Sequence, residues 1–187
     1  MIDNKLTESV RMGDRNAFSR VLDITIGSML LTAVRIVGNH EDAEDIVQDA
    51  YLKVWEKRDD IKSGGSLSGW IRTIVVNRCY DHLRREKVKG SSLPEGQERI
   101  LVSIMSDDRA DGEIEYNEFR EILQAVTALL SPVQRIVFVL SEIEGMDNGE
   151  ISTVTALSSS VVKSNLWHAR KKVKSLLKGI YNKYEKL

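Results

Sequence analysis

Four groups of side chains in this sequence carry usable chemistry, and all four are suited to binding rather than bond breaking. Near the C-terminus stand Lys163, Arg170, Lys171, Lys172 and Lys174. A second cationic set is Arg72, Arg78, Arg84 and Arg85, followed by Lys87 and Lys89. Cations strung along a helix suit phosphates and give salt-dependent binding. The third feature is Asn77, an amide among apolar neighbours. Such an amide can pair with the edge of a base, although a mid-helix Asn more often points to water or caps a neighbour. The fourth is Asp45, Gln48, Asp49 and Lys53, spaced three or four apart and so gathered on one polar ridge of a helix.

Catalytic chemistry finds no such footing. The sequence pairs no nucleophile with a base and has no glycine loop built to cradle phosphate, so no catalytic residue is assigned. Cys79 is the only cysteine, which rules out an internal disulfide and fits a cytoplasmic location. One Cys and three scattered His (His40, His82, His168) do not make the ligand set of a zinc site. The acidic cluster from Asp42 to Asp49 spreads around the first turns of a helix instead of converging, which argues against magnesium. Its members also answer the helix dipole, which by itself accounts for Asp42, Glu44 and Asp45. No cofactor and no metal are expected.

The elements that must position these groups read as helices. A short helical turn fits residues 4–12, and a long helix fits Asp14 to Gly38, with Phe18, Leu22, Thr25, Met29 and Ala33 on one stripe. Gly38 and Asn39 stop it, since both tolerate left-handed geometry. The next helix, from Asn39 or His40, buries Ile46, Val47, Ala50, Tyr51, Val54 and Trp55 and turns the polar ridge outward. The loop Lys62 to Gly69 cannot extend it, being made largely of Gly and Ser. A further helix begins near Trp70, apolar at first through Ile71, Ile74 and Val75, and ends basic. Phe18, Tyr51, Trp55 and Trp70 are the large core members of this bundle.

Character changes after residue 88. Residues 91–130 carry a net charge of −6, residues 161–187 a net +7, and the whole chain −1. The acidic stretch 91–114, opened by Ser91, Ser92, Pro94 and Gly96, reads as a flexible linker between domains 1–90 and 115–187. In the second domain Glu115–Leu130 forms one helix. Ser131-Pro132 caps and starts another that Gly145 ends. Asp147 with Glu150 opens a short helix reaching Ala156. After the turn Leu157-Ser158, a last helix follows, with Val162, Leu166, Ala169, Val173 and Leu176 on its apolar face. This is a helix-turn-helix, which places the start of its last helix against bases. The fold class is therefore all-α: two small helical domains joined by a linker, the second a helix-turn-helix. No apolar run approaches the ~20 residues that span a bilayer, so no membrane insertion is expected. The N-terminus shows no apolar signal core.

Several stretches together resemble one family. Asp42-Ala43-Glu44-Asp45-Ile46-Val47-Gln48-Asp49-Ala50-Tyr51, then Trp55, then Trp70-Ile71, Asn77, Asp81 and Leu83-Arg84-Arg85 resemble the core-polymerase-binding and promoter-melting domain of bacterial sigma factors of the ECF (extracytoplasmic-function) class. Val162-Lys163-Ser164-Asn165-Leu166 with Ala169-Arg170 resembles the family's promoter-reading helix. The resemblance implies an alternative sigma factor with three partners: core RNA polymerase, promoter DNA and an anti-sigma factor. It implies polymerase contacts at Asp45, Gln48, Asp49 and Lys53. A pocket for a base flipped out of the minus-ten element is implied at Ile61, Lys62, Ser63, Gly64 and Asn77, with Arg72, Arg78, Arg84 and Arg85 on the strand. Minus-thirty-five contacts are implied at Ser159, Ser160, Val161, Lys163, Ser164 and Trp167, with Arg170 and Lys171 on phosphates. Departures also stand out: Ile61 replaces a frequent aromatic, Gly65 a frequent acid, and Ala156 a usual glycine at the turn. Val161, Ser158 and Asn165 stand where Thr, Pro and Arg are common.

Two other readings fit parts of the chain. A conventional helix-turn-helix regulator would explain residues 115–187 and leave the first 90 unexplained; it would bind duplex DNA without polymerase. A helical adaptor using the acidic ridge would show no salt-sensitive DNA binding.

Overall fold

The structure, a computed structural model, describes residues 2–62, 65–88 and 116–184, the side chains of 116–121 and 179–184 excepted. The expected linker, and Ser63, Gly64 and Lys89, lie outside the described residues. Every regular element among the described residues is helical. In chain order these are α1 (Asn4–Arg11), α2 (Arg15–Val37), α3 (His40–Glu56), a short 3-10 turn (Arg58–Asp60), α4 (Leu67–Val88), α5 (Tyr116–Ala128), α6 (Pro132–Phe138), a π turn (Val139–Ile143), α7 (Asn148–Thr155) and α8 (Ser159–Tyr184).

Local chemistry accounts for the boundaries. Asp14 caps α2 by accepting from the backbone N–H of Asn16 and Ala17. Gly38 ends that helix at φ +82, a left-handed conformation that glycine adopts without steric cost. Asn39 then caps α3 through the N–H of Asp42. Ser131 and Gln134 form a reciprocal capping box at α6, with Pro132 in the first helical position, and Asp147 with Glu150 does the same for α7. One boundary departs from the sequence reading. Helix α4 starts at Leu67 rather than near Trp70, because the Ser66 hydroxyl accepts from the N–H of Gly69 and so draws Gly69 into the first turn.

The first four helices pack as a bundle in which α2 crosses both α3 and α4. Val21, Met29, Ala33 and Ile36 of α2 meet Ala43, Val47, Ala50 and Val54 of α3 and Ile71, Val75 and Val76 of α4 in one dry cluster. A side chain such as Ile71, fully buried, contributes about 1.5–3 kcal/mol over leaving it exposed. Tyr51 is the one buried aromatic among the described residues of this bundle; its hydroxyl shares a 2.5 Å hydrogen bond with Thr25, and burial raises its pKa. Phe18 and Trp55 are half-buried, with ring centroids 5.1 Å apart and planes tilted by 48°.

The C-terminal helices form a second domain, with Ile122, Val126, Leu130, Phe138, Ala169 and Val173 in a small core of their own. They do not stand apart from the first. Helix α4 packs on α6 and α7, and Ile136, Val137, Leu140, Ile151 and Val154 belong to the same buried cluster as the N-terminal bundle.

Candidate functional site

The polar ridge is built as its spacing requires. On α3 Asp45, Gln48 and Asp49 are exposed while Ile46, Val47 and Ala50 between them are buried. Lys53 is half-buried and held 2.9 Å from Glu56. Asp49 lies 3.9 Å from Arg78, so the ridge touches α4. Sequence reasoning missed Leu52, which is 65% exposed. It borders a groove with Phe18, Leu22, Ile26, Gln48, Tyr51 and Trp55, between α2 and α3. Its signal was available: a leucine four residues after Gln48 falls on the ridge's side of the helix, not on the core side.

On α4, Asn77 is exposed between buried Val76 and Cys79. Its amide therefore faces outward, and Arg84 and Arg85 are exposed about two turns further on. The other two cations of this set are engaged. Arg78 is half-buried beside Asp49. Arg72 is half-buried with a nitrogen 3.8 Å from the sulfur of Met146 in the second domain. Ile61 is 6% exposed and packs in the core, so it forms the floor of the loop cleft rather than a stacking platform. Lys62 is exposed. The cleft beside the loop runs from Ile61 and Lys62 past Gly65, Gly69 and Arg72, and its far wall is Met146, Glu150 and Thr153 of the second domain. Asn77 is not part of that lining.

The helix-turn-helix comprises α7, the turn at Ala156–Ser158, and α8. Ala156 adopts φ +56, the conformation a glycine would take without strain. The Ser158 hydroxyl accepts from the N–H of Val161 at the start of α8. Ser159, Ser160, Val161, Lys163, Ser164, Trp167 and Lys171 are exposed, while Val162, Leu166 and Ala169 hold α8 to its domain. Trp167 is 57% exposed and carries the Lys171 ammonium 5.1 Å from its ring centre, a cation–π pairing. Arg170 is exposed but occupied: its Nη2 donates at 2.7 Å to Glu142 in the π turn. Two buried groups complete the electrostatics. Burial pushes the Cys79 thiol up to about 12. Arg135, 5% exposed, is lowered to about 10 by desolvation; its Nε and Nη2 are buried without a hydrogen-bond partner. Among the described residues no group of three or more His, Cys, Asp or Glu could hold a metal ion. None of their helices is long and apolar enough to cross a membrane.

Two family models match the chain: Sigma-70 region 2 over residues 30–88, and Sigma-70 region 4 over residues 120–173. Curated relatives include the ECF RNA polymerase sigma factor SigW of Bacillus subtilis, 24% identical over 96% of this chain and 99% of that one. The RNA polymerase sigma factor CnrH of Cupriavidus metallidurans is 28% identical over 94% of each chain. The ECF RNA polymerase sigma factor SigE of Mycolicibacterium smegmatis is 29% identical over 78% of this chain, which spans 55% of that protein. Among solved structures, CnrH in complex with the cytosolic domain of CnrY shares the fold at a TM-score of 0.65 and 24% identity, covering 94% of this chain and 97% of that one. With region 2 matched across α3, the loop and α4, and region 4 across the helix-turn-helix, the chain belongs to the sigma-70 family, as a sigma factor of the ECF kind.

Proposed function

We propose that this alternative sigma factor binds core RNA polymerase through the α3 ridge of Asp45, Gln48, Asp49 and Lys53, with Leu52 adding an apolar contact. Residues 1–90 act as the melting domain and 115–187 as the duplex-reading domain, joined by 91–114. In the melting domain Asn77 and the loop from Ile61 to Gly64 receive a base from the minus-ten element, and Arg84 and Arg85 hold the strand's phosphates. In the reading domain the start of α8 enters the major groove at the minus-thirty-five element, through Ser159, Ser160, Val161, Lys163, Ser164 and Trp167. Arg72, Arg78, Arg170 and Lys171 supply further charge once DNA competes for them. The protein is not an enzyme; nucleotidyl transfer belongs to the polymerase. It works in the cytoplasm. An anti-sigma factor is its third partner, as NepR is for RpoE of Bartonella quintana.

The observation that carries this reading is the outward position of Asn77, the one exposed residue of α4 between Leu67 and Tyr80, next to the exposed ridge of α3. A regulator that needs only its helix-turn-helix has no use for either surface. The test is run-off transcription with purified core polymerase. The protein should direct initiation at specific promoters of its own genome, and a competent core that stays silent on all of them defeats the reading. Replacing Asp45→Arg together with Asp49→Arg should weaken core association; unchanged co-purification would remove the ridge from the interface.

A further inference from the structure

The exposed face of α8 has a midline. Ser160, Ser164, Trp167 and Lys171 follow one another at intervals of four, three and four residues, so they line up along one side of the helix. All four are exposed, while Val162, Leu166, Ala169 and Val173 hold the opposite side in the core. The two serines are short, and a hydroxyl donates or accepts alike, so neither chooses strongly among bases. Lys171 is charged, which suits a phosphate. Asn165, beside the line, has its amide committed: Nδ2 donates to the Val161 carbonyl at 2.9 Å. Trp167 differs in kind. It is uncharged, exposed and the largest side chain of the face. The Lys171 ammonium lies over its ring, and the His168 ring meets it edge-on with 4.8 Å between centroids. It stands about 10 Å along the helix from Ser160. In a helix-turn-helix the first turn lies closest to the base edges, so two turns further on a long side chain is needed to reach them.

We propose that Trp167 selects a thymine in the minus-thirty-five duplex, by packing its indole on the C5-methyl group. This rests on the reading of α8 as the duplex-reading helix. Thymine is the one base that shows the major groove a methyl group, with the O4 acceptor beside it. Indole offers the matching pair, an apolar ring and a single N–H donor. Cytosine puts an amino group where O4 would be, so donor would meet donor, and the purines have no methyl. Val161, the other exposed apolar side chain in the first turns of α8, lies off this midline.

The experiment uses holoenzyme reconstituted from core polymerase and the full chain, with labelled duplexes of a promoter it transcribes. Across the minus-thirty-five element each thymine, on either strand, is replaced in turn by deoxyuridine, which removes only the methyl. At one thymine this should weaken wild-type binding about fourfold, the worth of one buried methyl. Trp167→Ala should bind the thymine and deoxyuridine duplexes alike. Trp167→Phe keeps an apolar ring and should keep a methyl effect of about twofold. With cytosine placed at the same position, adding its 5-methyl group should recover about fourfold in wild type and nothing in Trp167→Ala. A wild type that responds to base changes in the element but to no methyl overturns the assignment. So does a methyl effect that survives Trp167→Ala and disappears in Val161→Ala. A wild type indifferent to every base change in the element would defeat the reading of α8 itself and this assignment with it, which separates the two failures.

Discussion

The start of α8 and the loop ahead of α4 are both assigned to DNA, but the structure presents them oppositely. The first is a polar face on an exposed helix, with Ser159, Ser160, Lys163 and Ser164 free of the core and Trp167 standing out beside Lys171. The second is a cleft with Ile61 as floor and another domain as wall. Duplex DNA is a rigid cylinder read from outside, so a helix held by Val162, Leu166 and Ala169 suffices. A flipped base must be enclosed, and a surface able to enclose a base can also be filled by protein. The difference teaches that, on the proposed assignment, the duplex surface is a convex helix face whereas the base site is a cleft that shares a wall with the second domain.

The comparison is broken most forcefully at α8. Lys163→Glu with Lys171→Glu should cut binding to minus-thirty-five duplex by about a hundredfold and flatten its salt dependence. Full duplex affinity in that variant, by fluorescence anisotropy, would show that the exposed face is not the reading surface. Next comes Asn77→Ala, expected to lower promoter opening about tenfold, or ~1.4 kcal/mol, with core binding unchanged. Permanganate footprinting of the holoenzyme measures it, and wild-type opening would exclude the amide from the pocket.

The dryness of the covered α4 face can be titrated. Burial raises the Cys79 thiol to about 12, so its folded-state value lies above its unfolded one. The neutral thiol's contribution to stability is then whole below pH 9 and is lost as pH climbs from 9 toward 12. Arg135, lowered to about 10, acts in the opposite sense only above that value. Between pH 9 and 10 wild type should therefore lose up to about 1 kcal/mol in urea unfolding that Cys79→Ala does not lose. Equal slopes would mean that water reaches the thiol. The smallest effect belongs to the turn. Ala156→Gly should stabilise the reading domain by about 0.5–1 kcal/mol, the left-handed strain relieved less the entropy that glycine adds to the unfolded chain. A lowered melting temperature would contradict the strain at φ +56.

Much of this was legible in the sequence because it is local. Gly38 with Asn39, Ser131-Pro132 with Gln134, and Asp147 with Glu150 announce helix ends through bonds spanning three or four residues. The ridge on α3 and the apolar face of α8 follow from periodicity alone. The start of α4 was not legible, since Gly69 reads as a breaker unless the Ser66 cap is known. The family resemblance puts Ile61 at the base pocket, but its burial is decided by what packs above it, which no local pattern shows. The Arg35–Glu144 pair joins residues 109 apart, and no local pattern predicts which of many carboxylates a given arginine will meet. Trp167 was placed correctly on α8; its cation–π partner Lys171 is one helical turn on, a spacing the sequence does display.

The 3.9 Å approach of Arg78 to Asp49 has a consequence for docking. Asp49 is exposed and Arg78 half-buried, so the pair is held by less than about 1 kcal/mol. Any basic surface that settles on α3 will claim Asp49 and leave the Arg78 guanidinium uncommitted on the helix that carries Asn77. On the proposed reading, docking at the ridge would thereby leave the neighbouring helix with one more uncommitted cation.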